Sequence, residues 1–183
     1  MTLTATPGAA GADSYLEVVA ADALAAANLG PASDGWGAAA TADKEKALKR
    51  ATREINAAVD SAWPRFDPTA QRLSHLIFPR SIDVDAAGAP IIPYEVELAT
   101  YEQATYILAN AATLDAADTR RARNMQASSE PNVSYSQPDP DELWNRLAPG
   151  ARHYLAGFRL TTPPTASSGM SSLRMSSGFV GGM

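Results

Sequence analysis

The sequence predicts a mainly α protein: a small helical bundle with one minor β-hairpin, set between an extended N-terminal arm and an extended C-terminal tail. Three observations predict it. Of 183 residues, 37 are Ala, the best helix former. Two long segments, 42–62 and 94–113, repeat their apolar residues at the helical period. Strand-like alternation is confined to residues 120–136. Hydrophobic residues make up 45% of the chain, but Ala buries little area per residue. The helices should therefore be thin and closely packed around a modest core, which a partner surface would help to complete.

In chain order, residues 1–13 are small, Gly- and Ala-rich and read as a flexible arm. Tyr15 to Val19 is a short apolar stretch leading into a first helix, Val19 to Leu29, closed by Gly30 with Pro31 behind it. Ser33 to Gly37 reads as a turn around Trp36. The strongest helix follows at 42–62, with Thr41 as N-cap and Asp43 in the first turn. Its buried face is Ala47, Leu48, Ala51, Ile55, Ala58, Val59 and Ala62, and Trp63-Pro64 stops it. Residues 64–93 hold five prolines and read as loop, with one helical turn at 71–76 and a turn around Gly88. Pro93 starts the second long helix, whose buried face runs through Val96, Ala99, Thr100, Gln103, Ala104, Ile107, Leu108 and Ala111. After the 120–136 hairpin, Asp139, Pro140 and Glu142 form a capping box that starts a short helix. Pro149-Gly150 breaks that helix, and a last one holds His153, Tyr154, Leu155 and Phe158. Residues 159–183 contain six Ser, four Gly and three Met, no acids and no periodicity. Such a composition stays disordered in an isolated chain and orders on a partner. The domain expectation is thus an arm at 1–13, a helical domain at 14–158 and a partner-binding tail at 159–183.

Composition excludes several functions. There is no Cys, which removes disulfide frameworks, Cys-ligated metals and thiol nucleophiles. His75 and His153 are the only histidines, and neither has a spaced partner. Asp83, Asp85 and Gly88 resemble the opening of a calcium loop, but Ala87 and Tyr94 occupy two required ligand positions. No G-x-S-x-G elbow or phosphate loop occurs. With no assembly of nucleophile, base and orienting group, the reading is a protein without catalysis, cofactor or metal. The N-terminus lacks a signal peptide and no apolar run spans a bilayer, so the expectation is cytoplasmic synthesis and no membrane partner.

The net charge is −5 and unevenly spread. Residues 1–35 carry acids only, and beyond Glu142 there are only bases, Arg146, Arg152, Arg159 and Arg174. An acidic head and a basic tail suit contacts with partners or with other copies. Lys46, Lys49, Arg50 and Arg53, with Lys44, make the first long helix basic, and Arg120, Arg121 and Arg123 form a second cluster. Either group offers phosphate or subunit contacts. A solvated helix face or salt bridges would explain the first as well.

Several pieces recur in a characteristic order: Ser14-Tyr15, Trp36 before D-K-E-K-A-L-K-R-A-T-R-E-I, Phe78-Pro79-Arg80, Gly88-x-Pro90 with Ile92-Pro93, Y-E-Q-A at 101–104, and Val133-Ser134-Tyr135-Ser136 before the capping box. Over residues 13–158 this order resembles the head–tail connector (adaptor, head-completion) proteins of tailed bacteriophages, a group also labelled DnaT-like single-stranded-DNA-binding. Leu24 departs from the pattern, standing where an aromatic is common. The resemblance implies a structural virion protein at the head–tail junction. It would form a ring of copies, usually twelve, below the portal protein, continue the channel for passing double-stranded DNA, and meet a tail, nozzle or stopper protein. It further implies that the tail docks on the portal, with Arg159, Met170, Leu173, Arg174, Met175, Phe179 and Val180 as contacts. The alternative is a single-stranded-DNA-binding replication accessory protein.

Overall fold

The computed structural model describes residues 3–27, 31–59, 65–67, 76–114 and 140–158. The fold is mainly helical, with α1 at Val18–Ala27, α2 at Pro31–Ala38, α3 at Thr41–Ala58, α4 at Tyr94–Ala109, α5 at Pro140–Asn145 and α6 at Pro149–Tyr154. A single 3-10 turn, Ala156–Phe158, follows α6. Antiparallel bridges join Arg65 with Arg80 and Val84 with Pro90. The proposed hairpin at 120–136, the helical turn at 71–75, Trp63-Pro64, Asp139 and the tail at 159–183 lie outside the described residues.

The two long helices carry the core. One cluster joins Ile55, Ala58 and Val59 of the α3 end to Val96 and Ala99 of the α4 start, with Tyr15, Phe78, Trp144, Leu147 and Leu155 around them. A second joins Ala47, Leu48 and Ala51 of the α3 start to Tyr101, Ala104 and Ile107 of the α4 end, with Leu16, Ala21 and Trp36. Start packs on end at both levels, so α3 and α4 run antiparallel. Ala47, Ala51, Ala58, Ala99 and Ala104 are all buried there. Small side chains at a crossing let two helix axes approach closely, which is the structural use of the Ala surplus.

Several boundaries differ from the sequence expectation. Residues 31–38 form a helix where a turn around Trp36 was expected. Pro31 takes the first helical position, where its missing N–H costs nothing. Gly35 and Gly37 each cost about 1 kcal/mol in a helix, but burying an indole recovers about 4–6 kcal/mol at most. Trp36 is fully buried, stands edge-on to Tyr101 at 5.7 Å and donates from Nε1 to Asp22 at 2.7 Å. The helix α3 has Ala40, not Thr41, as N-cap, and no side chain caps it. It also ends at Ala58, before Trp63-Pro64, because the β-branched Val59 turns extended (φ −100°, ψ 160°) while its N–H still bonds Ile55. In α4, Asn110 ends the helix by donating its side-chain amide to the Tyr106 carbonyl, and Ala111, expected inside, is exposed. Pro149, expected only as a breaker, is the first residue of α6.

Residues 3–16 follow an irregular path, and that path is fastened. Asp13 accepts from the Thr4 N–H and donates its own N–H to the Thr4 carbonyl, closing a loop that buries Ala5 and Ala12. Tyr15 then enters the core. Its N–H bonds Thr52, and its hydroxyl contacts Asn56 and accepts from the N–H groups of Ile77 (3.1 Å) and Phe78 (3.3 Å). Full burial pushes the phenol pKa well above its ordinary value, so the hydroxyl remains protonated and keeps its contact to Asn56. The Phe78-Pro79 peptide is cis. Phe78 stacks edge-on against Tyr15 and Phe158, and the Arg80 guanidinium lies over both phenyl rings, at 5.3 and 4.8 Å.

On the other side of α4, the buried Gln103 amide donates to Glu54 of α3 and accepts from the Ala148 N–H before α6, both at 2.6 Å. Gly150 leaves room next to it for the Glu102 side chain, which would have to shift for a Cβ there, 2.7 Å from its carboxylate. The Tyr15→Phe variant is expected to lose about 1–3 kcal/mol of stability, measured by urea unfolding, because Phe78 N–H is left buried without its acceptor. An unchanged midpoint would contradict this role for the hydroxyl.

Candidate nucleic-acid interface

The basic residues of α3 divide by their ion-pair partners rather than by helix face, since Lys49 falls at i+3 from Lys46 and i+4 before Arg53. Lys44 and Lys49 turn toward the N-terminal segments. Lys44 binds Asp22 of α1 at 2.9 Å and lies 5.3 Å from the Trp36 ring centre, and Lys49 binds Asp13 at 2.6 Å. Both ammonium groups are largely covered, so these pairs fasten the arm and α1 to α3. Each is worth at most about 1 kcal/mol beside water. Lys49, named from the sequence among the contact candidates, is thus engaged by Asp13.

Lys46, Arg50 and Arg53 fall at i, i+4 and i+7, which puts them in one stripe. Lys46 is 77% exposed and touches Asp43 in an equally open pair. Arg50 pairs with Glu54 at 3.0 Å, and Arg53 is exposed. From the end of α5, Arg146 comes against the same stripe and shares a shallow hollow of about 150 Å³ with Arg50, Arg53, Glu54 and Leu143. In the sequence Arg146 stands only as the first of the bases beyond Glu142. No local signal marks it, because only the packing of α5 on α3 brings it there. Lys46, Arg50, Arg53 and Arg146 thus stand together, with Asp43 and Glu54 among them, on a chain whose net charge is −5.

Beside the stripe lies a groove of about 650 Å³ between α2, the first half of α3 and the end of α4. Its floor is apolar, from Ala47, Ile107 and Leu108, and Lys46 and Arg50 line one wall. Asp43 lines it as well, and among the described residues no aromatic side chain does.

The other candidates resolve as structure or fall outside view. Asp83 is buried and holds Arg80 through two side-chain bonds of 2.8 and 2.9 Å. Asp85 accepts from the Ala87 and Ala89 N–H groups and so shapes the turn at Gly88, whose φ is +81°. The calcium-loop resemblance is thus used up in turn-making, and among the described residues no cluster of three His, Asp or Glu side chains stands together. His153 is exposed beside Tyr154. Arg120, Arg121 and Arg123 lie outside the described residues, as do Arg159, Met170, Leu173, Arg174, Met175, Phe179 and Val180. Among the described residues no helix is long and apolar enough to cross a membrane.

Residues 1–153 match the family described as "Putative DnaT-like ssDNA binding protein". The chain belongs to this family. No curated protein and no solved structure matches it. The match carries the DnaT-like part of the resemblance drawn from Ser14-Tyr15, Phe78-Pro79-Arg80 and the Y-E-Q-A run. In the structure those residues build the core of a family member rather than its surface.

The pairs that sort the cations also set an acid dependence. Asp22 is held below its ordinary carboxylate value by its bonds to Lys44 first and to Trp36 second. Its contribution is fully present above the unfolded value near 3.8 and fades as pH falls through the lower folded one. Burial raises Glu97 and Glu102 instead, so their protonation favours the fold as pH falls. The Asp22→Asn variant is therefore expected to lower the unfolding midpoint at neutral pH and to bring it closer to wild type below pH about 4. A deficit that is constant across a pH series of thermal melts would contradict the Asp22 pairing.

Proposed function

We propose that this protein is a single-stranded-DNA-binding accessory protein that acts without catalysis and holds the strand by its phosphates along the Lys46–Arg50–Arg53 stripe and Arg146. The observation that carries this reading is the gathering of cations on one side of α3: Lys44 and Lys49 are taken up by Asp22 and Asp13, while Lys46 and Arg53 stand exposed and Arg50, Arg53 and Arg146 line one hollow. Lys and Arg along a helix face displace counterions from a phosphate chain, which supplies affinity without sequence preference. The family description supports the same ligand.

The connector reading makes a different demand. A ring of copies below a portal, with residues 159–183 on the portal and double-stranded DNA in the channel, needs a stable cyclic oligomer. Light scattering on the full chain separates the two, since strand binding by the stripe needs only one copy.

Fluorescence anisotropy with a labelled oligo-dT at low salt tests the stripe. A Lys46→Ala/Arg53→Ala double variant is expected to bind on the order of tenfold more weakly, from the loss of two phosphate contacts. Lys44→Ala is expected to bind as wild type does while melting at lower temperature. Equal affinity of the double variant and wild type, or no binding by wild type, would contradict the proposal.

A further inference from the structure

We infer that the groove between α2, α3 and α4 is a base pocket, which takes one unstacked base of a single strand while the adjoining phosphate sits on Lys46 and Arg50. The inference rests on the single-strand reading above and adds where the bases go. A stripe of cations reads only the phosphate chain and leaves the bases in water. A flexible strand binds more tightly when a base is also removed from water against a flat or apolar surface.

The groove meets the requirements for such a site. Its volume of about 650 Å³ lies within the roughly 300–1,000 Å³ of ligand clefts. The apolar floor of Ala47, Ile107 and Leu108 suits the face of a base. The guanidinium of Arg50 is planar and half-covered and stands at the wall, where it offers a stacking plane as well as a charge. Lys46, the most open of the paired cations on α3, stands on the same wall. A phosphate held there is joined to its base by a sugar, so apolar floor and cationic wall are about one nucleotide apart in chemistry. Asp43 lines the groove too and meets Lys46 at 3.0 Å in an open pair that a phosphate can replace, so two cations against one acid favour a nucleotide over an apolar peptide as occupant.

The walls are firm. Trp36 and Tyr101 lie in the cluster beneath, both fully buried, so α2 and α4 are fixed against each other and the groove does not depend on a moving segment.

The absence of Cys from the chain makes a clean test. Ala111 lines the groove and is exposed, so an Ala111→Cys variant carries one environment-sensitive dye there, and Val19→Cys, 77% exposed on α1, carries the same dye as control. Oligo-dT and an abasic oligomer with the same phosphates are titrated into each. The expected result is a dye response at residue 111 alone, with oligo-dT alone, and an affinity for oligo-dT on the order of tenfold above that for the abasic chain. Unlabelled Ala111→Leu, which narrows the groove, is expected to bring oligo-dT down to the abasic affinity without changing the abasic one. Equal affinity for both oligomers, with no response at residue 111, overturns the base pocket and leaves the phosphate stripe standing. No binding of either oligomer overturns both. A response at residue 111 that depends on protein concentration without any oligomer assigns the groove to a second copy of the chain and overturns the inference.

Discussion

The hydroxyl of Tyr15 is the polar tie among three parts of the chain that lie far apart in sequence. It joins the N-terminal segment to Asn56 on α3 and to the backbone of Ile77 and Phe78, more than sixty residues away. Buried backbone N–H groups need acceptors, and the irregular stretch at 76–78 finds its acceptors here rather than in a sheet. The position of Tyr15 in turn fixes Phe78, whose ring orders Phe158 and the Arg80 guanidinium. The Gln103 amide does the corresponding work on the far side of α4, between Glu54 and Ala148. With those two polar anchors in place, a core built largely from Ala can be closely packed and still be unique.

The same anchoring decides which charges are left for a ligand. Once the arm is closed by Asp13 on Thr4 and α1 is set by Trp36, Asp13 and Asp22 stand where Lys49 and Lys44 can reach them. A helix with five cations, all candidates by composition, thus has two of them, Lys44 and Lys49, taken up by the N-terminal segments. An acidic protein can gather cations on one helix in this way, because Asp13 and Asp22 draw two of its lysines to the N-terminal segments. The α5 segment then adds Arg146 beside Arg50 and Arg53.

Much of this was legible in the sequence. The buried faces of both long helices follow their apolar spacing, from Ala47 to Val59 and from Val96 to Ile107. Local rules failed where tertiary contacts outweighed them. Residues 31–38 carry two glycines and read as a turn, yet the burial of Trp36 makes them a helix. Tyr101 and Thr52 fall just off the expected apolar stripes but are buried, because neighbouring segments cover a wider arc than one partner helix would. Of the candidate site, Lys46, Arg50 and Arg53 were visible as residue types. Their separation from Lys44 and Lys49 was not, since it depends on acids 22 to 36 positions away. The motifs that carry the family resemblance are those that hold the core, so they identify the fold and leave the surface to be read from geometry.

The central claim is that a positive strip on α3, built by this sorting of ion pairs, binds a single strand through its phosphates. The salt dependence of oligo-dT affinity for the full chain tests it most directly. Three to four phosphates neutralised by the strip would give a slope of log affinity against log salt of about −2 to −3, at roughly −0.7 per phosphate. A slope near zero, or no measurable affinity even at low salt, would contradict the account.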